Sequence, residues 1–131
     1  MPLLTRAQIL AAEDIESEIV EVPEWGGSVR VRGLTGTQRD RFEQSIVIQQ
    51  GKKSRMNMDN IRAKLCAMTM VDEDGGRLFS DRDTEELGAK SAAALDRVFA
   101  VAQRLSGISE DDLEELEKNS GSAPSGASTS A

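Results

Sequence analysis

Between Lys90 and Gly107 the chain reads KSAAALDRVFAVAQRLSG. Ala94, Leu95, Val98, Phe99, Ala102 and Leu105 recur at helical spacing and draw one wide apolar stripe. Asp96, Arg97, Gln103 and Arg104 fall on the opposite face. Ser91 is placed to accept from an orphan backbone N–H at the start, and Gly107 to turn left-handed just past the end. A stripe this wide needs cover from more than one neighbour. The helix is therefore expected to be the hub of the core, with the other segments as its partners.

Aromatic residues make up only 3% of the 131 residues, so the cover must come from Leu, Ile, Val, Ala and Met. Thr5 with Gln8 matches a capping box and predicts a short helix over Arg6–Ala12. Glu13–Glu18 reads as an acidic linker. Glu18–Val22 and Ser28–Gly33 alternate on either side of Pro23-Glu24-Trp25-Gly26-Gly27, which is a hairpin signal. Val20 and Val22 share a face, as do Val29 and Val31, and Glu21 is expected opposite Arg30 or Arg32. Two strands alone are marginal, so the hairpin must lie on helices or on another chain.

Thr35 with Gln38 opens the next helix, which carries Phe42 and Ile46 and is expected to end near Gln50-Gly51. Residues 50–57 read as a basic, mobile connection. Asn57 or Asp59 is the expected cap of a second core helix with Ile61, Leu65 and Met68 in line. Val71–Phe79 reads as a tight turn between two short extended pieces. Ser80 with Asp83 opens a short helix that Gly88 should stop, and Ser109 with Asp112 opens a last, acidic one over Glu110–Lys118. Residues 119–131 are Ser/Gly/Ala-rich with no apolar period and are expected to be disordered. The fold class is mainly α with a small N-terminal β-hairpin (α+β). It divides into a helix and linker over 1–17, a compact hairpin-plus-helical domain over 18–118, and a disordered tail over 119–131.

The chemistry available is sparse. There is no histidine and no tyrosine, and a single cysteine excludes an internal disulfide, which suits a reducing compartment. Cys66 lacks the base a thiol nucleophile needs and reads as a small core residue. A calcium loop starting at Asp72 would need Gly at its sixth position, where Arg77 stands, so an Asp-Gly turn explains that stretch. Lys52, Lys53 and Arg55 have no interleaved aromatics and read as a solvated loop rather than a nucleic-acid site. No phosphate-binding glycine loop is present. No catalytic residue, cofactor, metal site or nucleic-acid partner is therefore expected. No apolar run is long enough to span a bilayer and the N-terminus lacks a signal-peptide layout, so a soluble, intracellular protein with no membrane partner is expected.

Charge is segregated. Residues 1–29 hold one base and six acids, residues 30–64 nine bases and three acids, and residues 65–131 six bases and fourteen acids. An acid–base–acid pattern suits contacts between copies or with a basic partner, although solvated faces explain it as well. Two apolar patches are candidate partner-binding surfaces. One is the hairpin, with Val22, Val29, Val31 and Trp25 at its tip, where a tryptophan supplies much apolar area at little entropic cost. The other is Ile108, Leu113 and Leu116, ringed by acids. Either can instead serve the chain's own core: Trp25 by folding back, Leu113 and Leu116 by docking the last helix. Spacing takes the reading to a binding or assembly protein without a catalytic set.

Three stretches in order, EVPEWGGSVRVRGLTGTQRDRFE (Glu21–Glu43), MVDEDGGRLFSDRDTEELG (Met70–Gly88) and KSAAALDRVFAVAQRLSGISEDDLEELEKN (Lys90–Asn119), resemble the tail assembly chaperones of long-tailed (siphovirus-type) bacteriophages, especially those of actinobacterial hosts. The resemblance spans roughly residues 10–119. It implies a mainly helical, non-enzymatic protein of the infected host's cytoplasm. Such a protein binds the tape measure protein, keeps it soluble, helps tail-tube protein gather round it, and is absent from the finished virion. It also implies self-association in some members and, often, a longer frameshifted product, for which the end after Asn119 would be a flexible joint. The alternative class is a structural or regulatory phage protein such as a head–tail connector component.

Overall fold

A computed structural model describes residues 2–50, 53–56, 60–109, 111, 112 and 115. The hub helix forms as α5 in the numbering used below. Before it come α1 (Arg6–Ala11), β1 (Ser17–Val22), β2 (Gly27–Arg32), α2 (Gly36–Ser45), β3 (Val47–Gln50), β4 (Lys53–Met56), α3 (Ile61–Thr69), β5 (Met70–Val71) and α4 (Thr84–Gly88). The hub, α5, covers Ala92–Leu105. The fold is mainly helical with a small antiparallel sheet near the N-terminus, as the pattern predicts.

Helix α5 carries both expected caps. The Ser91 hydroxyl accepts from the Ala94 N–H at 3.2 Å. Gly107 sits at φ 71°, its N–H donates to Arg104 O at 3.2 Å and that of Ile108 donates to Gln103 O at 3.0 Å. This paired closure satisfies carbonyls the helix end would leave orphaned. Ala94, Leu95, Val98 and Ala102 are buried, and Phe99 and Leu105 half-buried. Helix α5 packs on α3 and also on β1, β2 and the turn at Trp25. Leu65, Cys66 and Ala67 of α3 meet it in one cluster with Phe42, Val20, Val22 and Val31.

The sheet is wider than a hairpin. Its order is β1-β2-β5, with Arg30 opposite Val71 and Val31 opposite Met70. An extended piece is expected at Val71, but a two-residue strand has no readable alternation, so its pairing with β2 was not legible in the sequence. Register also corrects the expected charge pairing. Val22 lies opposite Gly27, which sets Glu21 against Ser28, Ile19 against Arg30 and Ser17 against Arg32. The cause is the turn: Pro23–Trp25 forms a single 3-10 turn closed by Gly26 at φ 76°, and turn length sets hairpin register.

Two boundaries differ from expectation. Helix α2 ends at Ser45, not near Gln50, because the Ser45 hydroxyl donates to Phe42 O at 2.7 Å. That carbonyl would receive the Ile46 N–H in a continuing α-helix, and Ile46 bonds to Glu43 O at 3.3 Å instead. Val47 and Ile48, β-branched, then enter a strand. Part of the expected mobile connection is therefore paired: Val47 lies opposite Met56, and Gln50 opposite Lys53. Helix α3 is entered through Asn60 at φ 59°, without a side-chain cap. The expected caps Asn57 and Asp59 lie outside the described residues. Gly88 is likewise the last residue of α4 rather than its left-handed stop, and Ala89 closes that helix. A Cβ at Gly88 would stand 2.6 Å from Asn60 Oδ1, so its role is close approach to α3. Residues 119–131, expected to be disordered, lie outside the described residues.

Candidate interaction surface

Among the described residues the single thiol and the acidic turn are both taken up by the fold. Cys66 is fully buried; burial, with Asp96 nearby, pushes its thiol up to about 12, so the reactive thiolate is suppressed at neutral pH. Its Sγ donates to Leu95 O at 3.6 Å. The Asp72 carboxylate closes its own loop, accepting from the Asp74 and Gly76 N–H groups at 2.8 and 3.0 Å. Among the described residues no cluster of three or more metal-ligating side chains forms, and no helix is long and apolar enough to cross a membrane.

What the fold builds is a groove. Trp25, Phe79 and Leu87 line a cavity of about 510 Å³, with Glu24, Glu86 and Lys90 at its edge. That volume lies within the range of pockets that hold a small ligand or a few side chains. Each wall is held by local chemistry. Glu24 accepts from Arg97 Nε at 3.0 and 3.2 Å, which ties the hairpin tip to α5. Arg104 donates to both Glu18 oxygens at 2.8 and 2.9 Å, fastening the start of β1 to the far end of the same helix. Phe79 is positioned by the Leu78 N–H donating to Met70 O at 3.0 Å and by the Ser80–Asp83 capping box that follows. Leu87 belongs to α4 and is buried.

Trp25 does not project from the tip. It is half-buried against the core cluster, and its Nε1 is buried with no acceptor among the described residues. An unpaired buried N–H costs stability, so packing of the ring must outweigh that loss. Of the other candidate partner-binding residues, Val22 and Val31 are fully buried, Ile108 is buried and Val29 half-buried, so these side chains face the chain's own core. Leu113 and Leu116 lie outside the described residues. The capping box that should precede them is present: the Ser109 N–H donates to Asp112 Oδ2 and the Asp112 N–H to the Ser109 hydroxyl, both at 3.0 Å.

The larger exposed apolar surface is one that residue patterns did not single out. No residue of α1 is buried. Leu3 is 96% exposed, Leu4 65%, Ile9 56% and Leu10 68%. The capping box Thr5–Gln8 closes a turn here, yet only the tertiary structure reveals that these side chains are left exposed. Phe79, Leu87 and Lys90 were also missed, since more than fifty residues separate them from Trp25.

Two surface carboxylates give the interface an acid dependence. The Arg97 guanidinium, then the residue's own backbone N–H, hold Glu24 below its ordinary value of 4.5. The Ser109 N–H and hydroxyl, with Arg39 nearby, hold Asp112 below its ordinary value of 3.8. Both folded values are depressed, so the stabilisation is complete above the ordinary values and is lost as pH falls through the folded ones. Urea midpoints followed into acid should fall for the wild-type chain and fall less for Glu24→Gln. An identical acid profile in the two would show that the Arg97–Glu24 pair contributes nothing.

A family model described as phage tail assembly chaperone matches residues 5–119. No curated protein and no solved structure matches the chain.

Proposed function

The chain belongs to the phage tail assembly chaperone family, and from this premise we propose that it binds the tape measure protein in the cytoplasm of the infected bacterium. Binding keeps that protein soluble while tail-tube protein gathers round it, and the chaperone leaves before the virion is complete. Further partners on this reading are the tail-tube protein and other copies of the chain. The observation that carries the reading is the Trp25–Phe79–Leu87 groove, an apolar recess edged by Glu24, Glu86 and Lys90. Apolar burial in such a recess supplies affinity, and a charged edge keeps the complex dispersed. The acidic segment that carries Leu113 and Leu116 is the second contact on this reading.

Co-expression tests it. Trp25→Ala and Leu113→Asp chains that stay folded by circular dichroism should recover much less soluble tape measure protein than the wild type. Full recovery with both folded variants would overturn the assignment of these surfaces. Mass spectrometry of purified virions addresses the connector alternative: abundant intact chain in finished particles would overturn the chaperone reading.

A further inference from the structure

The fold leaves two apolar surfaces incomplete in every copy. One is the N-terminal arm, with Leu3, Leu4, Ile9 and Leu10 exposed and no residue of α1 buried. The other is the groove between Trp25, Phe79 and Leu87. Their charges complement each other. On the arm, Arg6 opens α1 and stands three and four residues before Ile9 and Leu10, so the helix sets a base beside the apolar pair; Glu13 lies past the helix, whose C-cap Ala12 is extended. At the groove, Glu86 supplies the opposite sign, exposed and in no ion pair among the described residues.

We propose that the arm of one copy seats Ile9 and Leu10 in the Trp25–Phe79–Leu87 groove of a second copy, with Arg6 against Glu86. The connection favours a second copy over the same chain. The arm joins β1 at Ser17, whereas the groove lies beyond the other end of that strand, at Trp25. From Ser17 to Val22 the strand runs ~16 Å. Residues 12–16 span at most ~17 Å when fully stretched. Folding back onto its own groove would need the whole linker stretched alongside β1, a constraint that a second copy does not impose. Each copy offers one arm and one groove, so the contact is heterologous and adds copies head to tail. This deepens the self-association proposed above, the arm holding the groove when no tape measure protein fills it, and is measured without any tape measure protein, so its failure is separate from that of the chaperone reading.

The test is sedimentation of full-length chains at low salt over a wide concentration range. The wild-type average mass should rise with concentration. Ile9→Asp combined with Leu10→Asp, which alters no buried residue, should weaken association by about tenfold or more. Arg6→Glu alone and Glu86→Arg alone should each weaken it by about two- to fivefold. Mixing the Arg6→Glu chain with the Glu86→Arg chain should restore it, because every arm then finds a groove of opposite charge on the other variant. A wild-type monomer at the highest concentration, unchanged association in the Ile9/Leu10 variant, or no restoration on mixing would each overturn the proposal.

Discussion

Leu95→Ala is expected to destabilise the chain by about 2–5 kcal/mol, the cost of lost burial plus the cavity left behind. Leu95 is 5% exposed and sits on α5 where that helix meets α3, in one cluster with Leu65, Cys66 and Ala67. Collapse into the vacated space is restricted, since α5 is also held at Glu24 through Arg97 and at Glu18 through Arg104. Domains of this kind have about 5–15 kcal/mol in total, so the loss is a large share of the whole. Phe99, half-buried on the same helix, should cost less when truncated, because part of its ring already meets water. Equilibrium urea unfolding reads both as a lower midpoint at unchanged slope. A loss below about 1 kcal/mol for Leu95→Ala would show that α5 is not the hub.

The second large effect is at Gly33. A Cβ there would stand 2.5 Å from the carbonyl oxygen and 3.0 Å from the carbonyl carbon of Leu105. Both are backbone atoms, so relief requires moving β2 away from the end of α5. That junction carries the Gly33 N–H bond to Glu16 O at 2.9 Å and the Leu34 N–H bond to the Ser106 hydroxyl at 3.0 Å. Gly33→Ala should therefore cost about 1–3 kcal/mol, as forced overpacking does. Gly36→Ala is the control. It lies in α2 with nothing within 4 Å of the added Cβ, and alanine there should be neutral or stabilising by up to about 1 kcal/mol. Equal urea midpoints for the two variants would rule out the close contact at Gly33.

Contacts along α5 explain why the hairpin valines face the core, which the residue pattern left open. Alternation places Val22 and Val31 on a strand face, but does not say whether that face meets α5 or solvent. Here it meets α5, and the tip follows because Arg97 holds Glu24. Trp25 is drawn inward with it and becomes a wall of the groove. The N-terminal arm is the reverse case: its leucines and Ile9 have the composition of a core segment, yet no residue of α1 is buried.

By itself the sequence determined whatever depends on residues a few positions apart. The reciprocal bonds of Thr5 with Gln8, Thr35 with Gln38 and Ser109 with Asp112 span three residues. The stripe of α5, its Ser91 cap and its Gly107 closure lie within one helix and its ends. Side-chain spacing and a cap's hydrogen bond are local geometry, so they can be read before any chain is folded. Only the tertiary structure decided what links distant segments. Arg97 meets Glu24 across 73 residues and Arg104 meets Glu18 across 86. β5 joins β2 through two residue pairs, and Gly33 touches the backbone of Leu105. Phe79 and Leu87 close a groove with Trp25, and α1 is left bare. Each of these depends on which surfaces α5 brings together when its wide stripe is buried, and that choice is made by packing between elements rather than by the spacing within any one of them.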